Sequence, residues 1–166
     1  MRLPTRKSGK YTGQKPDPFI TLEKYHNLQK KLHTLKSFSQ PHAIKEVKRL
    51  ALDGDFSENA AYSMAKGRLR GINQRILDIE DHLKRAEIIE DKKNPNKVSL
   101  GSRVTIEAEG ERKIYQILGS SETDPLNNII SRNSPLGAAL LDKKIGDKAK
   151  IKLAQKQIIY KIIKIE

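Results

Sequence analysis

The chain has 166 residues, of which 36% are hydrophobic and 32% are Asp, Glu, Lys or Arg, and its formal net charge is +13. It has no cysteine, which excludes disulfides and thiolate metal sites, and no apolar run long enough to span a membrane. So basic a chain favours a polyanionic partner, either nucleic acid or a protein surface that handles nucleic acid. Because no secretory signal is recognisable at its start, we expect a cytoplasmic protein.

Residues 1–19 are predicted to form a basic, flexible tail. Five basic residues stand against a single acid, Asp17, and three prolines and Gly13 interrupt any regular structure. Such a tail is typical of a disordered solubilising arm, and it would also suit loose contact with nucleic acid phosphates.

Residues 20–90 are predicted to form an antiparallel coiled-coil hairpin. Thr21 is a suitable N-cap for a first helix, and an apolar stripe with spacings of three and four follows it. The stripe begins with Leu22, Tyr25, Leu28, Leu32, Leu35 and Phe38. Pro41 should kink or restart this helix, which should stop at Gly54. A second helix is predicted from about Ser57 to Glu87, where apolar residues form a heptad seam.

A small β-rich unit is predicted for residues 98–166, after a linker at 91–97. Gly, Asn, Asp and Pro separate its short β-like runs. These runs lie at 103–107, 113–118, 128–131, 149–153 and 157–165, and a short helix is expected around 136–141. The chain has four histidines, which do not cluster with acidic partners at metal-ligand spacing, and we expect all of them at the surface. They are His26, His33, His42 and His82.

The predicted tip of the hairpin is acidic. Asp53, Asp55 and Glu58 lie within six residues of one another on an otherwise basic chain. Carboxylate oxygens suit Mg²⁺, but one short loop would only complete a site supplied mostly by another molecule. Asp55 would also serve as the N-cap of the second helix, with Glu58 at its third position. The two interpretations are compatible, and both stay open.

Basic residues flank the seam behind this tip. They are Lys45, Lys48, Arg49, Lys66, Arg68, Arg70 and Arg75. Such charges are typical of the solvated face of a coiled coil. They would also suit a strip that guides a single RNA strand through phosphate contacts.

Two stretches resemble motifs of one known family. Gly54–Tyr62 reads GDFSENAAY, which closely resembles the GD-x-x-EN-A-x-Y tip motif of the GreA/GreB transcript-cleavage factors. Ile130–Pro135 and Leu140–Asp147 are similar to the I-S-x-x-SP and LL-x-K-x-x-GD parts of the family's second signature. The resemblance covers about residues 19–166. Ala138 and Asp142 depart from it, since the family often has arginine and glycine there.

The resemblance implies an α+β fold, with an N-terminal antiparallel coiled-coil hairpin followed by a small FKBP-like domain. It also implies a bacterial transcription elongation factor whose hairpin enters the secondary channel of RNA polymerase, while Asn133, Ser134 and Pro135 bind the polymerase. Asp55 and Glu58 would then help to hold a Mg²⁺ ion that belongs mainly to the polymerase, and the isolated chain would bind none.

In that case the polymerase active site cuts the 3′ end of backtracked nascent RNA, and the chain alone is not an enzyme. Polymerase and nascent RNA are the expected partners, with no membrane and no small-molecule substrate. Two alternatives remain open: a secondary-channel regulator that inhibits polymerase without cleavage, and a coiled-coil adaptor that binds nucleic acid.

Overall fold

The computed structural model of the protein describes residues 17–52, 60–90, 96–153 and 156–166. These residues form a long helical hairpin followed by a curled five-stranded sheet, so the predicted α+β class is confirmed. No helix in the described ranges has the length and apolar character needed to cross a membrane.

The first arm of the hairpin consists of α1 (Leu22–Thr34), a π-helical turn (Leu35–Ser39) and α2 (Gln40–Leu52). Thr21 caps α1 as predicted, because its Oγ1 accepts a hydrogen bond from the backbone N–H of Lys24 at 3.1 Å. The cap satisfies one of the N–H groups that the first turn of a helix leaves without a partner.

The π turn explains where the sequence pattern fails. Gln40 donates its N–H to the carbonyl of Leu35, five residues back, directly before Pro41, which has no N–H to donate. The interruption predicted at Pro41 therefore takes the form of a widened turn. One extra residue in this turn rotates Phe38 out of the seam and leaves its side chain 69% exposed. The same rotation brings Ala43 into the seam, where it is buried. The prediction that Phe38 continues the apolar stripe is wrong.

The second arm is α3 (Ala60–Arg85), which buries Ala65, Ile76 and Ile79 against the first arm. Side-chain pairs across the two arms show that they run antiparallel. These pairs are Glu46 with Arg68 at 2.9 Å, Gln40 with Asn73 at 2.8 Å, and Lys36 with Glu80. At 1.5 Å per residue, the 26 residues of α3 measure about 39 Å. Gly67 and Gly71 lie within α3, and a Cβ atom added to either would meet nothing within 4 Å.

The C-terminal sheet has the strand order β5-β4-β3-β7-β6. Its strands are β3 (Arg103–Ala108), β4 (Glu111–Leu118), β5 (Ile129–Ser131), β6 (Lys148–Leu153) and β7 (Lys156–Ile165). All neighbours are antiparallel except β4 and β5. Each of the five predicted β-runs overlaps one of these strands, because alternating burial such as that of Val104 and Ile106 is a local signal.

One face of the sheet carries the core of the C-terminal domain, against which α4 (Pro135–Leu140) packs through Leu140. The core consists of Val98, Val104, Ile106, Ile117, Leu140, Ala149, Ile162 and Ile165. Strands β3 and β4 are joined by a two-residue turn at Glu109 and Gly110, which have φ of 54° and 84°. This is the positive-φ geometry that tight hairpins require.

A second, two-stranded sheet lies at the base of the hairpin, where the sequence pattern indicates no strand. Strand β1 (Phe19–Ile20) pairs in parallel with β2 (Glu87–Ile88). Phe19 is predicted to lie in the flexible tail, but it is the first residue of this strand. Strands of two residues are too short to show a period in the sequence.

Candidate functional site

The acidic tip predicted from the sequence lies outside the described residues. This holds for Asp55 and Glu58, and for Asp53 with them. The structure describes the two residues that flank the tip, Leu52 at the end of α2 and Ala60 at the start of α3. They lie at the end of the hairpin away from the C-terminal domain, which contacts the start of α1. The roles of Asp55 and Glu58 thus stay predictions.

The basic residues of α2 share one exposed side of the first arm. Lys48 and Arg49 lie three and four residues after Lys45, which places each of them beside Lys45 on the helix surface. Ala43 is instead buried, and Val47 and Leu50 are half-buried. The three cations are therefore turned to solvent, as either a solvated face or a phosphate-binding strip requires.

The basic residues of α3 do not form a single strip. Lys66 and Arg70 are four residues apart and share one face, whereas Arg68 lies on another. Arg68 also binds across the hairpin, with its Nη1 2.9 Å from Oε2 of Glu46. The Nζ atom of Lys66 lies 5.1 Å from the centre of the Tyr62 ring, within the range of a cation–π contact. Lys66 and Arg70 are therefore better placed than Arg68 to contact a phosphate.

The predicted polymerase-binding residues follow β5 and lead into α4. Ser134 is the N-cap of α4: its Oγ accepts from the N–H of Gly137 at 3.0 Å and donates to the carbonyl of Ser131 at 2.7 Å. Pro135 occupies the first helical position, where its missing N–H costs nothing. Ser134 is therefore a structural residue, while Asn133 and Pro135 are exposed.

The side chain of Asn133 contributes to a junction between the two parts of the chain. Its Nδ2 lies 3.2 Å from Oδ2 of Asp17, which also accepts from the backbone N–H of Ser120 at 2.9 Å. Arg132 stacks on Phe19, with 4.5 Å between its guanidinium carbon and the ring centre. Segment 17–21 is therefore held against the C-terminal domain by polar and cation–π contacts.

Two further features make this junction close. Glu122 accepts from both the N–H and the Oγ1 of Thr21, at 2.8 Å and 2.6 Å. A Cβ atom at Gly119 would lie only 1.9 Å from the carbonyl oxygen of Phe19, so only glycine permits this approach. No local sequence pattern predicts these contacts, because Thr21 and Glu122 are 101 residues apart.

His82 lies buried beside the junction, with 7% of its surface exposed, so the prediction that all four histidines are at the surface is wrong for this residue. Burial lowers the pKa of His82, and the charge of Arg85 lowers it further. Lys24 acts in the same direction, while the backbone and the carboxylate of Asp17 oppose the shift. The heptad spacing of Ile76 and Ile79 continues at Leu83 and not at His82, so the sequence pattern gave no sign that His82 is buried, which its place beside the junction explains.

No metal site is found in the part of the chain that the structure describes. Those residues contain no group of three His, Cys, Asp or Glu that could hold a metal ion.

Comparison with known proteins gives matches over both parts of the chain. The family model described as "Transcription elongation factor, N-terminal" matches residues 18–88, and the model "Transcription elongation factor, GreA/GreB, C-term" matches residues 92–166. A transcription elongation factor GreA of Nitratiruptor sp. is 37% identical over 144 residues, covering 85% of this chain and 88% of its own. A transcription elongation factor GreA of Staphylococcus saprophyticus is 38% identical over 150 residues, covering 89% and 95%.

Among solved structures, the GreA factor homolog 1 (Gfh1) protein of Thermus thermophilus is 27% identical, covering 90% of this chain and 99% of its own, with a TM-score of 0.42.

Proposed function

This chain belongs to the GreA/GreB family of transcription elongation factors, and we propose that it binds bacterial RNA polymerase and stimulates cleavage of backtracked nascent RNA by the polymerase active site. The observation that carries the proposal is the tip motif Gly54–Tyr62, which stands between the two arms of a rod about 39 Å long. A cytoplasmic location follows from the proposed partner.

The two parts of the chain divide the task. Two packed helices, each about 10–12 Å across with its side chains, make a rod narrow enough to enter a channel. The C-terminal domain is wider and stays outside, where Asn133 and Pro135, held in place by the Ser134 cap, bind the polymerase surface. The contacts of Asp17, Thr21 and Phe19 with this domain hold the rod at a fixed angle to it. The orientation of the docked domain therefore sets the direction in which the rod points.

The tip supplies charge. Asp55 and Glu58 are hard oxygen donors of the kind that Mg²⁺ prefers, and two carboxylates are too few for its six positions. They fit a Mg²⁺ ion shared with the polymerase, which supplies the remaining ligands. When bound, Mg²⁺ contributes charge stabilisation to phosphoryl-transfer chemistry. Because the chain lends ligands without completing a site, it is no enzyme alone.

The basic residues behind the tip hold the RNA strand. Lys66 and Arg70 on α3, with Lys45, Lys48 and Arg49 on α2, place positive charge along the path of an RNA strand that reaches the tip. Phosphate contacts of this kind are independent of sequence, as a factor acting on any transcript requires.

The decisive experiment separates charge from structure at the tip. Asp55→Asn keeps a good helix cap and Glu58→Gln keeps a residue suited to the third helical position, but each removes a carboxylate. Both variants should bind polymerase, and each should shorten RNA in a stalled, backtracked complex orders of magnitude more slowly than the natural chain. Asp53→Asn is the matched control, since it removes one neighbouring charge and should stay active.

Three results would overturn the proposal. Full activity of both Asp55→Asn and Glu58→Gln would leave the carboxylates with a structural role only. Degradation of free RNA by the chain without polymerase would show that it is an enzyme in its own right. Binding to polymerase with slowed elongation and no RNA shortening by the natural chain would identify an inhibitory regulator.

A further inference from the structure

The outer face of the C-terminal sheet, opposite the core, is strongly basic. Residues of β6 and β7 alternate between the two faces, so that Ala149, Ile151 and Ile162 are buried while Lys148, Lys150 and Lys161 are exposed. We call these three lysines the outer lysine patch. Arg103, Arg112 and Lys164 lie on the same face of strands β3, β4 and β7.

Two of the patch lysines are direct neighbours across strands. Lys148 is the register partner of Lys161, which places like charges opposite each other at about 5 Å between strands. Like charges in this position destabilise a sheet. No described acid forms an ion pair with Lys148, Lys150 or Lys161. The carboxylate on the other side of Lys161, that of Glu107, is instead bound by Nε of Arg112 at 2.7 Å.

The repulsion within the patch would be relieved by a polyanion. We propose that the outer lysine patch binds the phosphate backbone of duplex DNA. This surface is separate from the hairpin tip, so the inference goes beyond the proposed function and does not rest on it.

The composition of the outer face of the sheet favours binding of duplex DNA over binding of single strands. Proteins that bind single strands on a sheet stack bases on exposed aromatic rings. Tyr115 and Tyr160 pack against the core on the opposite face, and the uncharged residues of the described outer face include Thr105, Ile114 and Ile159. Without a stacking platform there, the face offers charge to a backbone and little to a base.

The same composition argues against a protein partner. Lysine is depleted in protein–protein interfaces, because its strongly hydrated ammonium group is costly to bury. Phosphate contacts do not require that burial, since their free energy comes largely from the release of counterions. Three exposed lysines within two neighbouring strands therefore favour a nucleic acid backbone.

The test compares two triple variants of the full chain in binding to a fluorescent 20-base-pair DNA duplex over a range of salt concentrations. The first variant carries Lys148→Gln, Lys150→Gln and Lys161→Gln. The control carries Lys30→Gln, Lys31→Gln and Lys84→Gln, which remove the same charge from exposed helix positions. Removing one phosphate contact lowers the slope of log affinity against log salt by about 0.9, so the slope of the patch variant should be smaller by about 2–3. The control should keep the slope of the natural chain.

A variant with arginine at the three patch positions should keep the slope of the natural chain. This result would show that the glutamine variant loses affinity through lost charge and not through misfolding. An unchanged slope in the glutamine patch variant, or an equal decrease in patch and control variants, would overturn the proposal. So would loss of affinity for polymerase without nucleic acid while DNA binding stays unchanged, because the face would then contact protein. None of these results bears on the tip, whose role is read from RNA shortening by Asp55→Asn.

Discussion

The carboxylate of Glu122 accepts two hydrogen bonds from Thr21, the residue that caps the first helix of the hairpin. Thr21 thereby joins two structures: its Oγ1 also accepts from Lys24 in the first turn of α1. The orientation of the rod is tied to the C-terminal domain through the same residue that starts the rod.

Glu122→Ala should loosen this junction. It leaves the N–H of Thr21 without its partner, and hydrogen bonds to charged groups are worth about 1.5–3 kcal/mol. Hydrogen exchange at the Thr21 amide should speed up markedly, and RNA cleavage should fall although the tip is unchanged. Glu111→Ala removes the same group from an exposed position and should alter neither. Unchanged exchange at Thr21 in Glu122→Ala would show that other contacts suffice to hold the junction.

His82 should make stability depend on pH. Its pKa in the folded protein lies below the unfolded value of about 6.5, because burial, Arg85 and Lys24 disfavour the charged ring. The unfolded state therefore takes up a proton first, and stability present above about pH 6.5 is lost as the pH falls towards the folded pKa. Urea unfolding midpoints measured from pH 8 to pH 5 should drop less in His82→Gln than in the natural chain. His26→Gln, at an exposed position, serves as the control, and matching profiles for all three proteins would contradict the assignment.

Ser134→Ala should destabilise the C-terminal domain even where polymerase is absent. Loss of a serine N-cap costs about 0.5–2 kcal/mol, and the carbonyl of Ser131 also loses one of its hydrogen-bond donors. Ser134→Thr keeps the hydroxyl and should recover most of this free energy of unfolding. Reduced polymerase binding by Ser134→Ala therefore needs this control before the serine is assigned a direct contact. If Ser134→Ala and the natural chain melt at the same temperature, the cap contributes less than the geometry indicates.

The basic residues of α3 should differ in function. The double variant Lys66→Gln and Arg70→Gln removes two cations that share one face of α3. Each phosphate contact with single-stranded RNA that is lost lowers the slope of log affinity against log salt concentration by about 0.7. RNA cleavage by this double variant should slow and become less sensitive to salt. Arg68→Gln should have little effect on that salt dependence, since Arg68 is bound to Glu46. The reverse order of effects would place the RNA path on the Arg68 side of the hairpin.

Most elements of the fold could be predicted from the sequence, because helix and strand periods are local. The five strands of the C-terminal sheet and the cap at Thr21 are examples. The local π turn displaced Phe38, but two other features depended on distant residues: His82 is buried by its place beside the junction, and the partner of Asn133 is Asp17, 116 residues away. The tip motif is recognisable by resemblance alone, and Asp55 and Glu58 lie outside the described residues.

The π turn at Leu35–Ser39 also sets where the hairpin tolerates a change in length. An α-helix turns about 100° per residue, so a single deletion within α2 would rotate the preceding or following part of the arm away from α3. A deletion within the π turn would instead convert it to an ordinary turn and keep Leu32 and Ala43 in phase with the second arm. The π turn is thus a point at which the first arm can lose one residue without changing which face of α2 packs against α3.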